Sequence, residues 1–280
     1  MPTFTSSAPI SVALEFESGG ASITASERAD TIVDVRPRDA SREADVQAAQ
    51  ATDVEFAAGR LVVRGPRGRG RLFGRAGAID VSIDLPEGSD VEGKAGMGDV
   101  RAAGSLGRCR LRSGAGDVRL EQASELSLQI GMGAVAVHRV TGGAEIATGA
   151  GTVRVEAVDG NATVKNSNGS SWIGTVGGDL RVQAANGDID VARAGGSVSA
   201  RTANGAVRVG GLARGTTSLK TGNGMIEVGI AGGTAARLDV LTRFGRVENR
   251  MEASDGPAPG DGTVEVQART ANGDIVIRRD

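Results

Sequence analysis

The chain has 280 residues and a formal net charge of −2, so it is long enough for a sizeable core, and its overall charge selects no partner. Aromatic residues make up 2%, with one Trp and no Tyr, which argues against a conventional aromatic-rich core and favours a narrow interior of Val, Ile, Leu and Ala. A single Cys rules out an internal disulfide framework. The absence of a basic-then-apolar leader or a long apolar run gives a cytoplasmic protein with no membrane span as the expectation.

From the N-terminus, Ile10, Val12, Leu14 and Phe16 alternate with polar residues and predict a half-buried strand, turned by Gly19-Gly20. Residues 21–25 and 31–35 predict two more strands, ended by Pro37. Residues 41–52 predict a loop or short helix. Val54–Phe56 and Leu61–Val63 flank a hairpin signal at Ala57-Ala58-Gly59-Arg60. Ile79, Val81, Ile83 and Leu85 form a last alternating run before Pro86. Residues 1–92 are therefore expected to be a β-rich cap region without a fixed period.

From 93 to 280 a repeat takes over. Corner motifs such as Gly96-Met97-Gly98-Asp99-Val100 and Asn186-Gly187-Asp188-Ile189-Asp190-Val191 place their last Gly at 98, 116, 133, 151, 169, 187, 205, 224, 245 and 273. The steps are 18, 17, 18, 18, 18, 18, 19, 21 and 28, and a short fixed period marks a repeat architecture. Two and four residues after the corner stand apolar pairs such as Val153 and Val155 or Ile275 and Ile277. Five and seven before it stand pairs such as Val182 and Leu180. Each repeat thus reads as strand, Gly corner, strand, bend, with sides alternating at period two. The fold expected is an all-β β-solenoid of about ten coils of roughly 18 residues. Asn168, Asn186, Asn204, Asn223 and Asn272 precede the corner Gly, and Thr148, Thr202, Thr221, Thr242 and Thr270 stand three before it. Both columns are expected to be structural. The last step holds Ser254–Gly262, read as a surface loop inserted in one coil, with the strand Asp274–Ile277 expected at the open end of the stack.

The recurring Gly-x-Gly-Asp-Val and Asn-Gly-Asp-Ile-x-Val motifs follow a strand region ending at Ile79–Pro86. Together they resemble the bacterial domain of unknown function 4097 family, labelled "putative adhesin". The resemblance implies a β-helical repeat protein with surface binding as its role and brings no catalytic residues with it.

Candidate chemistry is sparse. Asp99 and Asp117 occupy equivalent outward positions, about 5 Å apart across adjacent coils, near the separation retaining glycosidases use. Arg101 and Arg119, two residues on, offer instead a neutralised surface ladder. A calcium ladder is not expected, because Ala134, Thr152, Ser170, Ala206, Met225 and Arg246 replace the Asp elsewhere. His138 and Cys109, alone of their kinds, make no nucleophile–base pair or zinc set. No cofactor is expected.

Two basic features remain as candidate contacts for an anionic partner. Arg64, Arg67, Arg69 and Arg71 lie in an acid-free window from Arg60 to Arg75. Arg112, Lys165, Arg201, Lys220 and Arg269 share the outward position four before the corner Gly. Such cations also discourage sheet-to-sheet aggregation. Phe73, the only aromatic in the window, supplies little base stacking, so no specific nucleic acid is expected. Trp172 projects outward by the same register, which fits either a contact anchor or a residue lying under a loop. The expected function is a non-enzymatic interaction or scaffold protein for an unknown protein or anionic surface. It would be a monomer or a weak dimer through its C-terminal coils. The alternatives are a β-helical carbohydrate-active enzyme and a self-assembling, bactofilin-like filament.

Overall fold

The computed structural model describes residues 2–66, 77–251 and 262–280, in two compact units, 1–141 and 142–280. Both are built of parallel β-solenoid coils. Unit 1 contains β1 (Thr3–Thr5), β2 (Ser11–Ser26), β3 (Asp30–Pro37), the helix α1 (Glu43–Gln50), β4 (Asp53–Ala57), β5 (Arg60–Arg64), β6 (Ile79–Pro86), β7 (Asp90–Ala115), β8 (Val118–Met132) and β9 (Val135–Val140). Unit 2 opens with β10 (Ala144–Ala150), β11 (Val153–Val158), β12 (Ala162–Asn168), β13 (Ser171–Val176), β14 (Leu180–Asn186), β15 (Ile189–Ala194) and β16 (Val198–Asn204). It continues with β17 (Val207–Leu212), β18 (Gly215–Asn223), β19 (Ile226–Ile230), β20 (Thr234–Phe244), β21 (Val247–Asn249), β22 (Gly262–Asn272) and β23 (Ile275–Arg279).

The predicted inward columns form the interiors. Val118, Leu120, Val135, Val137, Val153, Val155, Ile189, Val191, Val207, Val209, Ile226 and Val228 are all buried. Glycine is required at the corners by close approach as well as by conformation. Gly187 has φ +136°, and a Cβ there would stand 2.2 Å from the carbonyl oxygen of Gly169 one coil away. The Asn column is an amide ladder: each Nδ2 donates to the Oδ1 of the previous rung, through Asn168, Asn186, Asn204, Asn223 and Asn272 at 2.7–2.9 Å.

That ladder exposes a departure from sequential stacking. Asn272 bonds Asn223, because β22 pairs with β18 and β23 with β19. The coil that precedes them in sequence, β20 and β21, lies on their far side, pairing with β22 and β23. The strand around Ile275 is therefore interior, and the expectation that it ends the stack is corrected. The true end coil, β20–β21, shows it in its side chains. Among the described residues, Leu238 and Val240 are only half-buried and Val247 is 45% exposed, at inward positions that the other coils bury. The loop read at 254–262 falls almost wholly outside the described residues.

Unit 1 repeats the device. β2 lies between β5–β6 on one side and β7 on the other, in parallel register with all three, so the parallel ladder begins within residues 1–92. Gly19, φ +137°, is the corner of this coil and stacks against Gly98. Antiparallel β3 and β4 close the outer edges of β6 and β5, and β1 extends β3. Asp45 of α1, fully buried, accepts the N–H groups of Ala78 and Asp39 and ties the helix to this end.

Candidate functional site

Two faces of unit 2 carry chemistry. The first is formed by the strands that precede the corners. Register pairs Lys165 with Gln183, Gln183 with Arg201, Arg201 with Lys220, and Lys220 with Arg269. Across β12, β14, β16 and β18 the outward positions from Thr163 to Gly222 hold four cations, Lys165, Arg181, Arg201 and Lys220, and no acid. Their neighbours are small: Thr163, Ser199 and Ser218 on one side, Ser167, Ala185, Ala203 and Gly222 on the other. All four cations are exposed, and among the described residues none is in an ion pair. Arg201 Nη2 donates to Gln183 Oε1 at 2.8 Å.

Arg269, expected in the same role, is different. Its Nη2 lies 2.6 Å from Asp239 Oδ2 on the end coil. Hydrogen bonding from this guanidinium holds the Asp239 carboxyl below its ordinary range, and the same bond raises Arg269 further. Arg269 therefore bounds the patch with its charge neutralised. Arg181, six residues before its corner, was missed because only the column four before the corner was read for charge.

The second face is formed by the strands that follow the corners. Its outward column runs Arg154, Trp172, Asp190, Arg208, Glu227 and Val276, each opposite the next. Arg154 stacks its guanidinium 3.9 Å from the centre of the Trp172 ring. The next outward residues, Gly174, Ala192, Gly210 and Gly229, are nearly all glycine, so the surface beside the charged column sinks into a groove of about 240 Å3. Trp172 leans over Gly174 at one end. At the other end Asp280 covers Gly229, held by Arg278 and by the N–H of Gly211. The wall between them is two guanidiniums held in four ion pairs. Arg208 reaches Asp190 at 3.0 Å and Asp188 at 3.2 Å, and Arg278 reaches Glu227 at 2.8 Å and Asp280 at 2.6 Å. The hydrogen bonds to Asp190 and Glu227 are the main reason both guanidinium pKa values rise. The sequence pointed to Trp172 alone. The groove beside it needs the glycine column and the Asp280 contact, which no period reveals.

The other candidates resolve as structure. Asp99 Oδ1 accepts the N–H of Asp117, and Asp117 Oδ1 that of Ala134, both at 2.9 Å. The post-corner Asp thus caps the backbone of the next coil, as Asp188 does for Ala206. Cys109 is buried in its inward column, which pushes its thiol up to about 12. His138 is exposed. Arg64 lies between Glu15 and Asp53 on the flanking strands, so its surroundings are acidic. Arg112 is exposed opposite Gln129 in unit 1. Arg67, Arg69 and Arg71 lie outside the described residues.

No protein-family model matches the chain, and no curated protein matches it in sequence. Solved structures do. One named a "putative adhesin" from Bacteroides fragilis is 12% identical over 99% of this chain and 95% of its own, with a TM-score of 0.38. A "putative cell adhesion protein" from Clostridium sporogenes is 11% identical over 100% and 98%, with a TM-score of 0.23. A "putative lipid binding protein" from Parabacteroides distasonis is 12% identical over 99% and 95%, with a TM-score of 0.34. Scores this low leave fold and function to be argued from the chain itself.

Proposed function

We propose that the chain is a non-enzymatic interaction protein that docks an anionic surface through the first-strand face of unit 2. The observation that carries this is the patch of Lys165, Arg181, Arg201 and Lys220, four exposed cations without an intervening acid on a protein whose net charge is −2. Small flanking side chains let a partner approach the sheet, and parallel stacking fixes the cations one coil apart, about 4.8 Å. Complementary surface charge mainly speeds association and selects partners, so binding should be salt-sensitive.

Retention on immobilised heparin, used as a generic polyanion, tests the reading. Replacing all four cations by Gln should lower the eluting salt sharply, the four contacts together being worth about 1–3 kcal/mol. A control with Arg60, Arg110, Arg119 and Arg237 replaced by Gln has the same net charge and should elute close to the parent. Equal shifts in the two variants would reduce the effect to net charge and end the proposal.

A further inference from the structure

We propose that the groove between Trp172 and Asp280 is a binding site for a neutral oligosaccharide. Its volume of about 240 Å3 is room for about eight waters, the scale of one sugar ring rather than a drug-sized ligand. The floor is Ala192 and Gly210, flat and without polar side chains. One end is the Trp172 indole, whose apolar body and fixed ring suit the C–H face of a pyranose.

The polar wall decides the ligand's charge. Arg208 and Arg278 face four carboxylates, those of Asp188, Asp190, Glu227 and Asp280, so the wall is net negative and repels an anion, which could be held only by pulling a guanidinium out of its pairs. A hydroxyl-rich neutral ring disturbs none of them: each guanidinium has N–H groups beyond those in its ion pairs, and each carboxylate has free lone pairs. Ligand hydroxyls can accept from the first and donate to the second, both on side chains whose geometry the ion pairs hold fixed. Trp172 and Asp280 close the groove along the coil stack, so one ring is gripped and the other units of an oligosaccharide lie outside it. This site lies on a different face from the cationic patch, and neither proposal depends on the other.

Trp172 is the only Trp in the chain, so intrinsic fluorescence reports this groove alone. The full-length protein is titrated with cellohexaose, mannohexaose and maltohexaose, and with oligogalacturonate as the carboxylated counterpart. A saturable emission change with at least one neutral probe at millimolar concentration, and none with oligogalacturonate, is expected. Ala192→Leu fills the floor from an exposed position and should weaken that response at least tenfold with the melting curve unchanged. Glu227→Gln removes one of the two carboxylates that hold Arg278 and should weaken it about fivefold. No response to any neutral probe, a response to oligogalacturonate alone, or full binding by Ala192→Leu each overturns the assignment.

Discussion

Replacing Gly187 by Ala tests the stacked corner on which the coils depend. The backbone there has φ +136°, which costs an L-residue about 1–3 kcal/mol. The added Cβ would stand 2.2 Å from the Gly169 oxygen and 2.5 Å from its carbonyl carbon, both backbone atoms that cannot swing aside. Real Cβ atoms keep 3.0 Å or more from such neighbours, so the two coils must part. Parting them stretches the hydrogen bonds Gly169 N–H to Asn186 O, 2.8 Å, and Ser171 N–H to Asp188 O, 2.9 Å, at about 1 kcal/mol apiece. The total is about 3–5 kcal/mol, at the upper end for one substitution, and corresponds to a fall in melting temperature of roughly 6–20 °C. Gly232→Ala is the matched control. It has nothing within 4 Å of its added Cβ and should change stability by less than about 0.5 kcal/mol. Thermal and urea unfolding followed by circular dichroism compare the two. Coincident curves would show that the corner glycines are interchangeable with alanine and that close approach does not set the coil.

Val153→Asp should abolish folding of unit 2, because it places an unpaired charge at a buried position. Arg154→Asp should cost only about 0.5–1 kcal/mol, the loss of its stacking on Trp172, and equal unfolding midpoints would contradict the in–out register. At the unit 1 end, burial disfavours the Asp90 carboxylate, but hydrogen bonds from the Arg108 side chain and N–H outweigh it and hold the carboxyl below its ordinary range. A depressed folded value stabilises above the unfolded pKa of about 3.9 and is lost as pH falls through the lower folded value. Arg108→Gln should therefore be less stable than the parent at pH 7, with the gap closing below about pH 4. A constant gap across acid titration monitored by circular dichroism would remove the pair from the explanation.

The in-plane pattern of each coil was legible because period two and the corner glycines leave few choices: a residue two or four after a corner Gly points inward or the coil fails. The order of coils was not legible, and the reason is physical. Identical columns of Val and Ile fit equally well against any neighbour, so a coil placed one step away leaves the hydrophobic signal unchanged. The trace that could have been read lies in residues that break the columns. Phe244 stands where Asn168, Asn186, Asn204, Asn223 and Asn272 stand in the other coils of the ladder, and Leu241 where they carry a cation or Gln, so the amide ladder passes this coil by. The 28-residue step was then not only a surface insertion. It spans β21 and β22, between which the order of the coils reverses. The cationic patch was half visible for the same reason: its in-plane column was read correctly, whereas the neutralising contact of Arg269 with Asp239 depends on which coil lies next to β22.

The order of coils can be tested by two substitutions that the competing arrangements rank oppositely. If coils stacked in sequence order, Val247 would lie inside the stack and Ile275 in the last coil. In the observed order Ile275 is fully buried between Ile226 of β19 and Val247 of β21, and its N–H donates to Arg246 O at 2.9 Å. Among the described residues Val247 has a strand partner only on the Ile275 side, and it is 45% exposed. Ile275→Asp thus leaves an uncompensated buried charge, worth about 3–5 kcal/mol. At Val247 the new carboxylate remains in contact with water, and the cost should stay near 1 kcal/mol or less. Hydrogen exchange adds an independent reading, since the Ile275 amide should exchange only through opening of the whole end of unit 2. A more damaging Val247→Asp, together with rapid exchange at Ile275, would restore sequential stacking. It would also separate Arg269 from Lys220 on the cationic face, because their adjacency exists only if β22 lies against β18.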